Sequence, residues 1–279
     1  MADAIDASAS AFLSSPTPGR LPLLPLATTH VEGAGAVLHS LPAGQRRVVL
    51  TLGGLGSTKE KFSSRRRCAF EQAGYAVVLA DHSNEGARRD PDALTNRQGW
   101  EVCQKAHFWR AIHLTALGVP ALVDFALHTF GPEVLVVAYG QSMGGDIFLA
   151  SLVTERRLRA VCLDRASPDW LRPGSQANVL GESAEGDALY AAHCPCMRLE
   201  AYHAHPTALL FLSGESDEHV PRALAEAFAA RLVAAGAYTA ERLQTYALPS
   251  GGWHGHIFQD QADVTRRILC FLDEVVGTS

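Results

Sequence analysis

Short apolar runs alternate along the chain with longer stretches of helical period. The runs at 35–39, 47–52, 76–81, 133–139, 160–164, 207–213 and 243–248 are rich in Val, Leu, Ala and Tyr, and several contain almost no polar residue. Runs of that length and composition predict strands buried on both faces. Between them, 58–73, 100–116, 120–130, 143–153, 221–235 and 261–276 predict helices, with Gly118 and Pro120 dividing the second from the third. This rhythm is that of an α/β protein with a mostly parallel twisted central sheet and helices on both faces. Residues 166–206 depart from it, carrying Pro168, Pro173, Pro195 and Pro206, and predict a short lid insertion over the sheet. Residues 1–29, rich in Ala, Ser, Pro and Thr, predict a tail or strap ahead of one domain at 30–279.

Composition narrows the function classes. The 279 residues carry 24 basic and 29 acidic side chains, a net charge of −5, and 47% are hydrophobic. That apolar fraction supports a large core, and the slightly acidic balance supplies no field for nucleic acid or an acidic membrane. No uninterrupted apolar run approaches the roughly 18 residues of a membrane helix. The start, Met1-Ala2-Asp3-Ala4-Ile5-Asp6, is acidic where a secretory signal is basic. Cys68, Cys103, Cys162, Cys194, Cys196 and Cys270 are scattered instead of paired in a framework, as expected of reduced thiols in a cytoplasmic protein.

The chemistry concentrates in Val136-Val137-Ala138-Tyr139-Gly140-Gln141-Ser142-Met143-Gly144-Gly145-Asp146. A buried strand runs through Gly-x-Ser-x-Gly-Gly into a helix, which forces the serine into a sharp turn and projects its hydroxyl beyond the sheet. Ser142 is the candidate nucleophile. The motif alone also occurs as an ordinary glycine-rich turn, and it is the flanking strand and helix that separate the two readings.

A serine hydroxyl needs a base, and the base needs an anion to hold its tautomer and steady its charged form. Asp217 follows the strand at 207–213, at the sheet edge where open parallel sheets bind ligands. Glu215 competes with it, and a helix-capping role for Asp217 is the plainer alternative. After the last strand come His254 and His256, between which position alone does not choose. Gly53-Gly54-Leu55-Gly56-Ser57-Thr58 closes the 47–52 strand, so the amides of Leu55 and Met143 can both face an oxyanion. A phosphate-cradling loop is the rival there, although Lys59 follows Thr58 where a P-loop has its lysine before the hydroxyl residue.

With these motifs in place, the sequence from Val48 to Val276 resembles the α/β-hydrolase superfamily, and within it the small carboxylesterases of the dienelactone-hydrolase and prolyl-oligopeptidase-like branch. The resemblance rests on GGLGS, on Leu79-Ala80-Asp81-His82 with Asn84-Glu85-Gly86-Ala87-Arg88, on GQSMGG, on SGESDEHVP and on GHIF. It implies an α/β-hydrolase fold, Ser142 as nucleophile, Asp217 as acid, His256 as base, and Leu55 and Met143 as oxyanion donors. Gly255 before His256 and Phe258 after it also favour His256 over His254. The chain departs from the family at Gly53-Gly54, where His-Gly usually stands. That change removes a side chain that normally braces the oxyanion loop.

The expected activity is hydrolysis of a small-molecule ester through a covalent acyl-enzyme. A thioesterase or peptidase with the same triad, and a non-catalytic binding protein on the same fold, are the alternatives. No cofactor or metal is expected. His193-Cys194-Pro195-Cys196 with His203 and His205 offers zinc-type donors, but the one-residue cysteine spacing is unlike the usual two to four. Phe108, Trp109, Trp170 and Trp253 suit an acyl pocket or the core equally.

Overall fold

A computed structural model describes residues 25–88, 104–173, 180–181, 183–203, 205–248 and 261–277. Eight strands form one sheet in the order β1-β2-β4-β3-β5-β6-β7-β8. They are β1 (Leu26–Val31), β2 (Gly35–Ser40), β3 (Arg47–Leu52), β4 (Tyr75–Ala80), β5 (Leu135–Gln141), β6 (Ala160–Asp164), β7 (Ala208–Gly214) and β8 (Leu243–Leu248). From β4 to β8 the neighbours run parallel, while β1 and β2 pair antiparallel at one edge.

The core is split by the sheet because successive strand residues point to opposite faces. Val48, Leu50 and Leu52 of β3 join one apolar cluster and Val49 joins the other. The first face is covered by α2 (Gln104–Phe130), α3 (Met143–Ser151), α4 (Ala184–His193) and α5 (Arg222–Ala234), the second by α1 (Ser64–Gln72) and α6 (Gln261–Val276). Every residue of β3, β4, β6 and β7 is buried, as expected of mostly apolar runs in the middle of a sheet covered on both faces.

Four sequence expectations need correction or refinement. First, the sheet begins at Leu26, inside the segment read as a tail, and β1 is held by its register with β2 from Leu26 opposite Ser40 to Val31 opposite Gly35. Second, α2 runs unbroken through Gly118 and Pro120. Gly118 serves packing instead of breaking the helix, since a Cβ there would lie 2.7 Å from the Gly33 carbonyl oxygen. Third, Phe108–Phe130 of that helix is long and apolar enough to cross a membrane by length and composition. Its residues Val119, Val123 and Ala126 are buried in the core against the sheet. Arg110, Gly118, Pro120 and Asp124 interrupt the run and hide it from a search for uninterrupted apolar sequence. Fourth, the described part of 166–206 is anchored in the body of the protein by a few buried side chains, while Leu180 and Met197 are exposed. Trp170, Cys194 and Tyr202 are buried with the main core, and the Tyr202 hydroxyl donates to the Leu149 carbonyl of α3 at 2.8 Å.

Candidate functional site

Ser142 stands between β5 and α3 with φ +50° and ψ −121°, a region that a residue with a Cβ rarely adopts. Its N–H donates to the Asp164 carbonyl of β6 at 2.7 Å, and its own carbonyl accepts from Gly145 and Asp146 at 2.8 and 3.1 Å. These bonds hold the strained turn from both sides.

The flanking glycines are sterically required. A Cβ on Gly144 would sit 2.6 Å from the Gly53 carbonyl oxygen and closer still to that of Leu52, and one on Gly145 would run into the Ala166 side chain. The turn can therefore pack against the end of β3 only because no side chain intervenes. The same approach puts Gly54 beside the serine, with the position of its missing Cβ 3.5 Å from the Ser142 Cβ. The amide of Met143 lies in the first turn of α3, where a helix provides no intrahelical acceptor. Leu55, whose side chain is exposed, follows Gly54 in the adjoining loop.

That loop is braced from β4. Directly after the strand, the ring of His82 is fully buried and its Nε2 lies 2.7 Å from the Gly53 carbonyl oxygen. Burial pushes the His82 pKa down to about 4, so the ring is neutral near pH 7 and Nε2 donates to Gly53. Neighbouring Asp81 accepts from the Lys59 backbone N–H at 2.8 Å and the Ala87 N–H at 2.9 Å. The Lys59 ammonium also bonds Asp81, at 2.5 Å. Burial works against the lysine's charge, but its bonds to Asp81 and Glu60 outweigh that effect and raise its pKa. A phosphate-binding lysine would turn into the loop, whereas this one is committed to Asp81, which argues against the phosphate reading. Sequence reasoning alone assigns no site role to His82 or Asp81. The available signal was a polar pair placed directly after an all-apolar strand, at the edge where the elbow also opens.

Asp217 is buried three residues beyond the end of β7, while Glu215 is exposed. Asp217 Oδ1 accepts the N–H groups of His219 and Val220 at 3.0 and 2.9 Å, which orients the carboxylate just ahead of α5. Both bonds lie within the loop, and α5 itself starts at Arg222 with Pro221 as its N-cap and no side-chain cap bond, so Asp217 orders the loop and does not cap the helix. β8 ends at Leu248, opposite Gly214, and the Leu248 carbonyl accepts from the Glu215 N–H at 3.3 Å. The chain therefore leaves β8 beside the Asp217 loop and returns at Gln261. His254 and His256 belong to that connection and lie outside the described residues, as does Trp253. Of the other aromatics, Phe108, Trp109 and Trp170 are buried in the core.

A network of charged and polar groups lies on the opposite face of the elbow. Asp164 accepts from the Tyr139 hydroxyl at 2.9 Å and from Arg165 at 2.8 Å, and Arg66 bonds the same tyrosine. Because Asp164 also receives the Ser142 amide through its carbonyl, this network fixes the strand end that carries the elbow.

A sequence model of the prolyl oligopeptidase family matches residues 125–279, more than half of the chain. The chain belongs to the prolyl oligopeptidase family. No curated protein matches it. Among solved structures, TT1662 from Thermus thermophilus is similar with a TM-score of 0.73 at 22% identity, over 92% of this chain and 100% of that one. The Pyrococcus furiosus esterase Pf2001 gives a TM-score of 0.61 at 15% identity, over 91% of this chain and 93% of that one. The Pyrococcus horikoshii acylaminoacyl peptidase gives 0.69 at 11% identity, over 97% of this chain and 44% of that one. These likenesses show the fold, which is that of the α/β-hydrolases. As a member of this family the chain is a serine hydrolase of the α/β-hydrolase type.

Proposed function

We propose that this prolyl oligopeptidase family member cleaves a small-molecule ester through a covalent acyl-enzyme on Ser142. The observation that carries the reading is the strained serine at φ +50°, set at the head of α3 with the glycine loop against it. Such strain is maintained where a hydroxyl must stand clear of the sheet.

In this reading His256 takes the Ser142 proton as Oγ attacks the ester carbonyl, and Asp217 steadies the resulting imidazolium. The amides of Leu55 and Met143 receive the oxyanion. Collapse breaks the bond to the leaving alcohol, which takes the proton from His256, and water then repeats the sequence to release the acid and restore the serine. The burial of Asp217 at the β7 edge, beside the start of the connection that holds His256, supports this assignment over Glu215. The brace from His82 to Gly53 supports catalysis over a binding role, since it supplies the rigidity that the Gly53-Gly54 departure had put in question.

The family match favours one further reading, an amide-cleaving enzyme with the same residues. Turnover of matched ester and anilide substrates sharing one acyl group separates the two. Ester cleavage with slow or no anilide cleavage is expected, and an equal or higher kcat/KM on the anilide makes the chain a peptidase.

A further inference from the structure

One group of donors lies outside this machinery. Asp169, Cys194 and Cys196 bring one carboxylate oxygen and two sulfur atoms within 4.8 Å of one another. The two Sγ atoms are 3.4 Å apart. Two bonds of about 2.3 Å to a tetrahedral zinc hold sulfurs roughly 3.7 Å apart, so a small opening of the pair admits such an ion.

The surroundings are those of a ligand set. The Trp170 N–H donates to the Cys194 Sγ at 3.4 Å, and the Leu171 N–H donates to Asp169 Oδ1 at 2.9 Å. The Tyr190 hydroxyl donates to the same Asp169 oxygen at 3.0 Å and also lies 3.4 Å from the Cys196 Sγ. Hydrogen bonds of this kind orient ligands and spread the negative charge that two thiolates and a carboxylate leave around a divalent ion. Cys194 is fully buried, whereas Asp169 and Cys196 are half-buried, with Met197 exposed beside them. One side of the group thus faces water, which provides an entry path and a fourth ligand. The backbone is also fixed: the Cys196 N–H donates to the Pro168 carbonyl at 2.9 Å, tying the two segments together before any ion arrives.

We propose that Asp169, Cys194 and Cys196 bind a soft divalent ion of tetrahedral preference, of the zinc class, with water as the fourth ligand. The one-residue spacing that counted against zinc in the sequence is met by a third donor from a separate segment. The histidines considered there lie outside the group: His193 stacks on His113 with ring centroids 3.7 Å apart, His205 Nδ1 accepts from the Thr207 N–H, and His203 is exposed. Binding displaces one proton from each thiol to solvent, and sulfur donors select against magnesium and calcium.

The test uses the full chain, reduced and stripped with a chelator, then titrated with Zn²⁺ against a chromophoric competitor and separately with Co²⁺. Expected are one equivalent of Zn²⁺, a thiolate-to-cobalt charge-transfer band with tetrahedral ligand-field bands, and a zinc-dependent rise in Tm. Cys196→Ser and Asp169→Asn should each weaken zinc binding by about tenfold or more, with circular dichroism showing that both remain folded, while Cys68→Ser leaves it unchanged. A folded, reduced wild-type chain that takes up no zinc, or Co²⁺ spectra without a thiolate band, overturns the proposal. So does a pair that closes to a Cys194–Cys196 disulfide and shows no zinc uptake after reduction.

Discussion

The buried ring of His82 donates from Nε2 to the carbonyl oxygen of Gly53 at 2.7 Å, so the end of β4 holds the glycine loop that adjoins Ser142. With no side chain at Gly53, this bond from the end of β4 is what ties the loop down from the neighbouring strand.

This relationship predicts a graded series. His82→Leu removes the donor and should lower kcat on an ester about tenfold or more with little change in KM, because a loosened oxyanion loop acts on the transition state. His82→Gln keeps an N–H within reach of Gly53 and should recover most of that loss. Steady-state kinetics on the three proteins check it, and equal losses in both variants would reduce His82 to a packing role.

The same histidine sets a stability term with a definite sign. Its folded-state pKa is pushed down to about 4 from an ordinary value near 6.5, chiefly by burial, so the unfolded chain binds the extra proton. The contribution is complete above about pH 6.5 and is lost as pH falls toward 4, amounting to about 3 kcal/mol. His113, His193 and His205 are also lowered, chiefly by burial, and add to the trend in the same direction. Denaturant unfolding between pH 7 and 4 should therefore show a steep loss, and His82→Gln should make it shallower.

Steric closeness at the elbow gives a third expectation. Gly144→Ala would press a methyl group onto the carbonyls of Leu52 and Gly53, so either α3 or the glycine loop must shift. A stability loss of about 1–3 kcal/mol and a larger proportional loss of turnover are expected, because the displaced groups adjoin the nucleophile. Thermal unfolding together with kcat measures both.

Much of this was legible in the sequence, for reasons that differ by element. β4 is an unbroken apolar run and β3, β6 and β7 are mostly apolar, and such runs fit strands covered on both faces and little else. The elbow was legible because Gly140, Gly144 and Gly145 are each required by a contact that no other residue permits. β1 was not, because Leu26-Ala27-Thr28-Thr29-His30-Val31 is a half-exposed edge strand whose existence depends on the hairpin partner β2. The continuity of α2 was hidden for a related reason: Gly118 and Pro120 read locally as a break, while the packing of the helix on the sheet carries it through. His82 and the donor group at Asp169, Cys194 and Cys196 depend on contacts between distant segments, which local spacing does not encode.

The choice of base rests on the connection between Leu248 and Gln261. His256→Ala should lose about as much activity as Ser142→Ala, on the order of 10³-fold, while His254→Ala should cost tenfold or less. Wild-type turnover should rise with pH through one ionisation near about 6 to 7, as the imidazole must be neutral to accept the proton. An active His256→Ala protein beside an inactive His254→Ala protein transfers the role.

The most direct test of the central claim is the site of covalent capture. The wild-type chain is treated with a fluorophosphonate, its intact mass and labelled peptide are read by mass spectrometry, and ester turnover is followed on the same sample. One adduct per chain, located on Ser142 and formed in step with loss of turnover, is the predicted result, with no adduct on a folded Ser142→Ala variant. Ester turnover that persists in Ser142→Ala, or inactivation that tracks an adduct on another residue, would contradict the account.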